Sequence, residues 1–208
     1  MSKKIAIIGG GGFAKEVIEV ATMNGYEIYA IFAKESSLGK YKYGGYLDEL
    51  IGLKDEFDGV HIAIGAVDSE GIKNRAIIIK ILKENGIKQI SLISPFATVS
   101  RDVEIGDGVY IGHNVLISVG TIIEGSVLFN HSCVIGHDCK IRENVSIAPL
   151  VFLGGGVEIE RDVMIGVRTT LKQGIKIGEK SIIGMCSIVI KNIKSNSLVL
   201  TLPSKIYR

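Results

Sequence analysis

The stretch VEIGDGVYIGHNVLISVGTIIEGSVLFNHSCVIGHDCKI, Val103–Ile141, places a bulky apolar residue at every sixth position. The column begins at Ile105 and runs through Ile111, Ile117, Ile123, Phe129, Ile135 and Ile141. It continues unbroken through Ile147, Leu153, Ile159, Ile165, Leu171, Ile177 and Ile183 to Val189. Two residues ahead of each member stands a more restricted one, mostly Val, with Thr121, Cys133, Cys139, Thr169, Ser181 and Ser187 among the variants. A period of six fits neither a 3.6-residue helix nor a two-residue strand. It fits the hexapeptide repeat of a parallel β-helix. Three hexads make one turn of a three-sided prism, residues 18 apart stack, and the bulky column fills the axis. The fifteen members of that column predict five turns, roughly 24 Å tall at about 4.8 Å between strands.

The composition suits a globular protein with a substantial core. Of 208 residues, 47% are hydrophobic and 22% charged, enough for one large domain or two modest ones. A formal charge of +2 is too small to argue for nucleic acid or an anionic membrane as partner. No apolar run reaches the length of a membrane span, and Met1–Lys4 leads straight into a strand pattern. Neither a membrane segment nor a signal peptide is expected, and the expected compartment is the cytoplasm. Cys133 and Cys139 sit in the restricted column and read as small core residues. With Cys186 they make an odd count without C-x-x-C spacing, which predicts neither a disulfide framework nor a zinc site. No metal-ligand cluster is visible.

Ahead of the repeat, Ile5-Ala6-Ile7-Ile8 reads as a short buried strand, followed by Gly9 to Gly12 and a helical pattern over Phe13–Met23. Strand, glycine turn and helix open a nucleotide-binding α/β unit. Bare backbone approaches a phosphate closely there, and the helix N-terminus favours negative charge. Further strands are expected at Glu27–Phe32, Val60–Ile64 and Gln89–Ile93, with helices at Tyr46–Leu53 and Gly71–Asn85. That is a truncated doubly wound, Rossmann-like domain. The second strand ends Ile31-Phe32-Ala33-Lys34 and lacks the acidic residue a redox dinucleotide wants. Ser94-Pro95 breaks the α/β pattern, and Phe96-Ala97-Thr98-Val99 already falls in the six-residue phase. The domains are therefore read as 1–94 and 95–208, joined without a flexible linker.

Three histidines follow axial residues by two positions, which puts them at prism corners: His113, His131 and His137. His113 and His131, 18 apart, stack on one edge. His137 lies on the next edge, is followed by Asp138, and has Gly155 one turn above. A carboxylate bonded to one ring nitrogen would fix the tautomer and raise the basicity of the other. His137 is the candidate functional histidine, and His113 and His131 are read as supporting or structural. The hexads carry no inserted loop, so one prism has flat faces and no deep pocket. A catalytic cleft is expected between prisms of neighbouring subunits.

With these motifs the chain resembles the bacterial sugar acyltransferases that join a small nucleotide-binding domain to a left-handed β-helix. That family includes nucleotide-amino-sugar N-acetyltransferases and sialic acid O-acetyltransferases. The resemblance rests on IAIIGGGGFAKEV at Ile5–Val17, AIG at Ala63–Gly65, His137-Asp138-Cys139 and the closing SLVLTLPSKIYR at Ser197–Arg208. It implies His137 as general base and Asp138 as the acid that raises its basicity. It implies acetyl-CoA contacts at Ser146, Gly155, Val167 and Met185. Gly11, Gly12, Phe13, Ala33, Lys34 and Gly65 would hold the nucleotide-linked amino sugar. It further implies a homotrimer with each active site between two β-helices. This chain departs from relatives at Ser146, where they often carry histidine, at Phe13, where histidine is usual, and at Ala33-Lys34, where Asp is common.

The implied chemistry is direct acetyl transfer from acetyl-CoA to a sugar amine, with no metal. A histidine, with a reference pKa near 6.5, suits proton removal around neutral pH. Two rival readings remain at this point. One keeps the fold and acetylates a sugar hydroxyl, as on sialic acid. The other is a non-catalytic β-helix subunit that binds a nucleotide-sugar.

Overall fold

The computed structural model describes residues 3–66 and 68–201; Leu202–Arg208 of the closing motif lie outside the described residues. The α/β unit contains β1 (Lys3–Ile8), α1 (Gly12–Met23), β2 (Tyr26–Phe32), β3 (Tyr43–Gly45), α2 (Leu47–Gly52), β4 (Gly59–Ile62) and α3 (Ser69–Glu84). Its parallel sheet has the order β3-β2-β1-β4. The Ile5–Ile8 half of the central strand β1 is apolar and buried because both faces are covered there, as in other parallel sheets. Ile5 and Ile7 pack with Val17, Ile18 and Ala21 of α1, while Ala6 and Ile8 pack with Leu50, Ile78 and Leu82. His61, on β4, is buried, and its Nδ1–H donates to the Ile90 carbonyl at 2.7 Å. Burial pushes its pKa down to about 4, so it packs as a neutral ring.

Two expectations about this unit need correction. The strand expected at Gln89–Ile93 divides: Gln89 forms a single bridge to Val60, and Leu92–Ile93 stacks on Tyr110–Ile111 of the solenoid. Leu92 N–H already bonds the Val109 carbonyl. Hexad stacking thus begins at Leu92, upstream of Pro95. The edge strand β3 was not anticipated, because Tyr-Gly-Gly has little strand preference of its own.

The solenoid makes about six turns rather than five, with parallel sheets of five, seven and six two-residue strands. The second residue of each strand points inward, and the bulky column forms one continuous core with the restricted column. Polar members of the restricted column are satisfied internally, as where Thr121 Oγ1 donates to the Gly136 carbonyl at 3.1 Å. Buried Cys133 and Cys139 also contact carbonyls, and burial raises both thiol pKa values, Cys133 to about 11. They are packing residues.

From Gly108 to Gly156 each corner turns on one left-handed residue. Gly108, Asn114, Gly120, Ser126, Ser132, Asp138, Asn144, Leu150 and Gly156 follow one another at intervals of six, with φ between 57° and 70°. Gly, Asn and Asp tolerate this region best, which explains much of the corner composition.

The three faces have different fates. The first, carrying Leu92, Tyr110, Leu128, Ser146 and Met164 outward, is buried under the α/β unit. The second carries Leu116, Val134 and Phe152 exposed and stacked one above another, followed in the same ladder by Thr170 and the exposed Ile188. The third carries Lys140, Glu158 and Lys176, cross-paired at 3.6 Å. No helix among the described residues is long and apolar enough to cross a membrane.

Candidate active site

His137 and Asp138 stand on the corner between the apolar and charged faces. Asp138 is the left-handed corner residue, φ 57°, and the turn brings its carboxylate Oδ2 to 2.7 Å from His137 Nδ1. A carboxylate only accepts, so Nδ1 carries the proton and Nε2 presents its lone pair. The His137 side chain is 54% exposed. The ring leans over Gly155 one turn up: a Cβ built on Gly155 would lie 2.4 Å from Nε2. The space that Gly155 leaves without a side chain is filled by the imidazole itself. Below, Asp138 Oδ1 covers Gly120, where a Cβ would meet it at 2.4 Å. Two glycines thus seat the two halves of the pair.

The nucleotide-site candidates gather at the C-terminal ends of β1, β2 and β4, where ligands bind in open α/β sheets. The four glycines of the turn divide into two kinds. A Cβ on Gly9 would meet the Ala63 carbonyl oxygen at 2.5 Å, and one on Gly10 would meet that of Glu35 at 2.4 Å. The fold needs both. At Gly11 and Gly12 a Cβ meets nothing within 4 Å, so the fold asks for neither glycine. Both lie at the N-terminus of α1, whose free N–H groups and dipole favour an anion. Phe13 packs edge-on against Tyr110, with ring centroids 5.3 Å apart, and borders Gly65. Ala33 and Lys34 follow β2, where the Tyr43 hydroxyl donates to the Ala33 carbonyl at 2.8 Å.

The acetyl-CoA candidates do not share one groove on this chain. Gly155 is beside His137. Val167 and Met185 are exposed on a different corner, between the covered and apolar faces. Ser146 is elsewhere again: it is 3% exposed beneath the α/β unit, with Oγ directed to the Ala66 carbonyl at 3.4 Å. It faces the domain junction and no open groove. Among the described residues, no group of three or more His, Cys, Asp or Glu is arranged to hold a metal.

His113 and His131 stack as the 18-residue spacing predicted, with centroids 5.2 Å apart and planes 12° from parallel. The α1 carboxylates that meet them were not anticipated. His131 Nδ1 accepts from the His113 backbone N–H at 3.0 Å, so Nε2 carries the proton and donates to Glu16 at 3.0 Å. Glu19 lies 3.7 Å from His113 Nε2. α1 therefore runs along the corner between the covered and apolar faces. One whole face separates that corner from His137, roughly 20 Å by the length of a hexad.

Comparison with known proteins agrees with this architecture. The PglD N-terminal domain family matches residues 4–69. No curated protein matches the chain. A histidine-to-asparagine variant of perosamine N-acetyltransferase from Caulobacter crescentus, solved with CoA and GDP-perosamine, is 26% identical with a TM-score of 0.89. The match covers 99% of this chain and 97% of that one. The acetyltransferase domain of PglB from Neisseria gonorrhoeae, solved with acetyl coenzyme A, shares the fold at 24% identity and TM-score 0.84, covering 95% and 96%. WeeI from Acinetobacter baumannii AYE shares it at 23% and 0.82, covering 99% and 100%. In element order across the described residues, the chain has the architecture of the bacterial sugar acetyltransferases, an α/β unit that the PglD N-terminal domain family matches leading into a left-handed β-helix.

Proposed function

We propose that this protein transfers the acetyl group of acetyl-CoA to the amine of a nucleotide-activated amino sugar, with His137 as general base. The observation that carries the reading is the His137–Asp138 pair, with Nε2 free on a β-helix whose whole length matches an enzyme solved with CoA and a GDP-linked amino sugar. The glycine turn receives the diphosphate, because Gly11 and Gly12 leave backbone N–H groups bare at a helix start. The amine attacks the thioester carbon while His137 Nε2 takes its proton, and Asp138 stabilises the resulting imidazolium. Coenzyme A departs as thiolate, so no covalent enzyme intermediate is required. A test is acetyl-CoA turnover with nucleotide-amino sugars beside their hydroxyl analogues. Acetylation of the hydroxyl analogues alone would replace this reading with O-acetylation, and turnover of neither would leave only a binding role.

The site is completed by a second copy. On one chain the glycine turn and His137 stand on different corners, and so do Gly155 and the pair Val167 and Met185. The apolar face between those corners is uncovered, with Phe152 46% and Ile188 78% exposed. Packing three copies through this face, as a homotrimer, sets one copy's His137 corner against the next copy's α1 corner. Phe152→Glu places a charge in that contact. The expected result is a smaller species by light scattering, with acetyl transfer lost and the circular dichroism of the β-helix retained. An active monomer would defeat the intersubunit site.

The division of labour between the two parts is also open to test. The Cβ of a valine at Gly11 meets no protein atom within 4 Å, so Gly11→Val is expected to fold, which a melting curve run beside the kinetics checks. It obstructs the approach of a phosphate, and loss of one hydrogen bond to a charged group costs about 1.5 kcal/mol, or about tenfold. KM for the nucleotide-sugar rises by that factor while KM for acetyl-CoA stays unchanged. Weakened acetyl-CoA binding alone would reverse the assignment of ligands.

A further inference from the structure

Arg75 is a buried cation without a carboxylate partner among the described residues. It lies on α3 and is 2% exposed. Its guanidinium donates from Nη1 to the Ile64 carbonyl at 2.8 Å, from Nη2 to the Ser126 carbonyl at 2.6 Å and from Nε to Asn144 Oδ1 at 3.1 Å. Burial lowers its pKa to about 10, so it stays charged at neutral pH. Removing such a group from water costs several kcal/mol before compensation. A methionine would fill similar space without that cost, so cohesion alone is a poor reason for an arginine here.

What the arginine ties together supplies a better one. Ile64 belongs to the segment after β4 that faces the glycine turn: Ala63 N–H bonds the Ile8 carbonyl at 2.7 Å, and Gly65 borders Phe13. Ser126 and Asn144, 18 residues apart, are left-handed corner residues stacked on one edge of the prism. Ser146 adds a second tie to the same segment through the Ala66 carbonyl. The opposite wall of the crevice, α1, is held by Glu16 on His131. These anchors, residues 126 to 146, lie within little more than one turn of the β-helix. His137 sits in that same turn. A threefold axis along the prisms keeps the neighbouring copy's His137 at the same height.

We propose that Arg75 is a positioning residue that fixes the nucleotide-sugar crevice in register with the turn carrying His137, so that the acceptor's amine meets the base. This rests on the proposed function, and Ser146, first read as an acetyl-CoA contact, is here part of the same joint. The test is Arg75→Met, followed by hydrogen exchange and by kinetics with two acceptors. Exchange should rise at residues 63–66 while the β-helix core keeps its protection. For the nucleotide-amino sugar, kcat/KM should fall about 10–100-fold, the usual cost of misplacing a reactant by an ångström or so. For the free amino sugar without nucleotide, and for KM of acetyl-CoA, changes should stay within about twofold, since the crevice is not used. Unchanged exchange at 63–66, or an equal loss with both acceptors, overturns the proposal. Where Arg75→Met does not fold, Ser146→Ala removes the second tie and should show the same pattern more weakly, and unchanged exchange at 63–66 in that variant overturns it equally. Should the wild-type protein acetylate neither acceptor, the proposed function fails by itself, and the exchange result still decides whether Arg75 holds the crevice to the prism.

Discussion

His137→Ala is expected to lower kcat for acetyl transfer by about 10²–10⁴-fold, the range for loss of a general base, with the melting temperature unchanged. The separation of activity from stability follows from position. The ring is half exposed on a corner and contributes nothing to the axial core, which is built from the bulky and restricted columns. Its hydrogen bond to Asp138 joins two surface groups, a pair of small energetic worth. Its catalytic worth is different, because Nδ1–H···Oδ2 fixes which nitrogen is free to accept a proton. Asp138→Asn tests that distinction. Asparagine accepts the left-handed corner as readily as aspartate, so the backbone is undisturbed, and a smaller loss than for His137→Ala is expected. Steady-state kinetics beside thermal melts decides both variants. A His137→Ala protein with near wild-type kcat would remove the imidazole from the mechanism.

The β-helix was legible because its interior is a local, repeating constraint: one bulky residue per hexad, whatever the rest of the chain does. The count of turns fell short at both ends for identifiable reasons. Ile93 and Val99 are in phase with Ile105, yet Ser94-Pro95 between them looks like a boundary and not a prism corner. At the other end, Ile193 bridges Ile177 four residues after Val189, so the six-residue phase slips before Leu198–Val199. The pair His137 and Asp138 was visible for the same reason as the column, since neighbours on a corner are neighbours in sequence. Contacts across the junction carry no such signal. Glu16 meets His131 across 115 residues, and Arg75 meets Asn144 across 69. Ser146 shows the consequence: its hexad position says that it points outward, and only the α/β unit packed above decides that outward means buried.

Gly155→Ala is the second variant expected to have a large effect, and it isolates geometry from chemistry because the base itself is untouched. Gly155 is not a left-handed corner residue; that role belongs to Gly156, φ 66°. An alanine at 155 therefore meets no backbone strain. Its Cβ would lie 2.4 Å from His137 Nε2, 2.6 Å from Cε1 and 2.8 Å from Cδ2, distances that no side chain tolerates. The obstacle is the end of an exposed side chain, so the ring swings aside at little cost to folding. In swinging, Nε2 leaves the position fixed by Asp138, and displacement of a catalytic group by an ångström or more costs about 10²-fold. The expected result is a stable protein whose kcat falls toward that of His137→Ala. In the double variant, His137→Ala with Gly155→Ala, the second change should add almost nothing, because both act on the same imidazole. Independent, multiplicative losses would instead place Gly155 in a separate role, such as a backbone contact to acetyl-CoA. Full activity in the single variant would mean that the imidazole does not work from its place above Gly155.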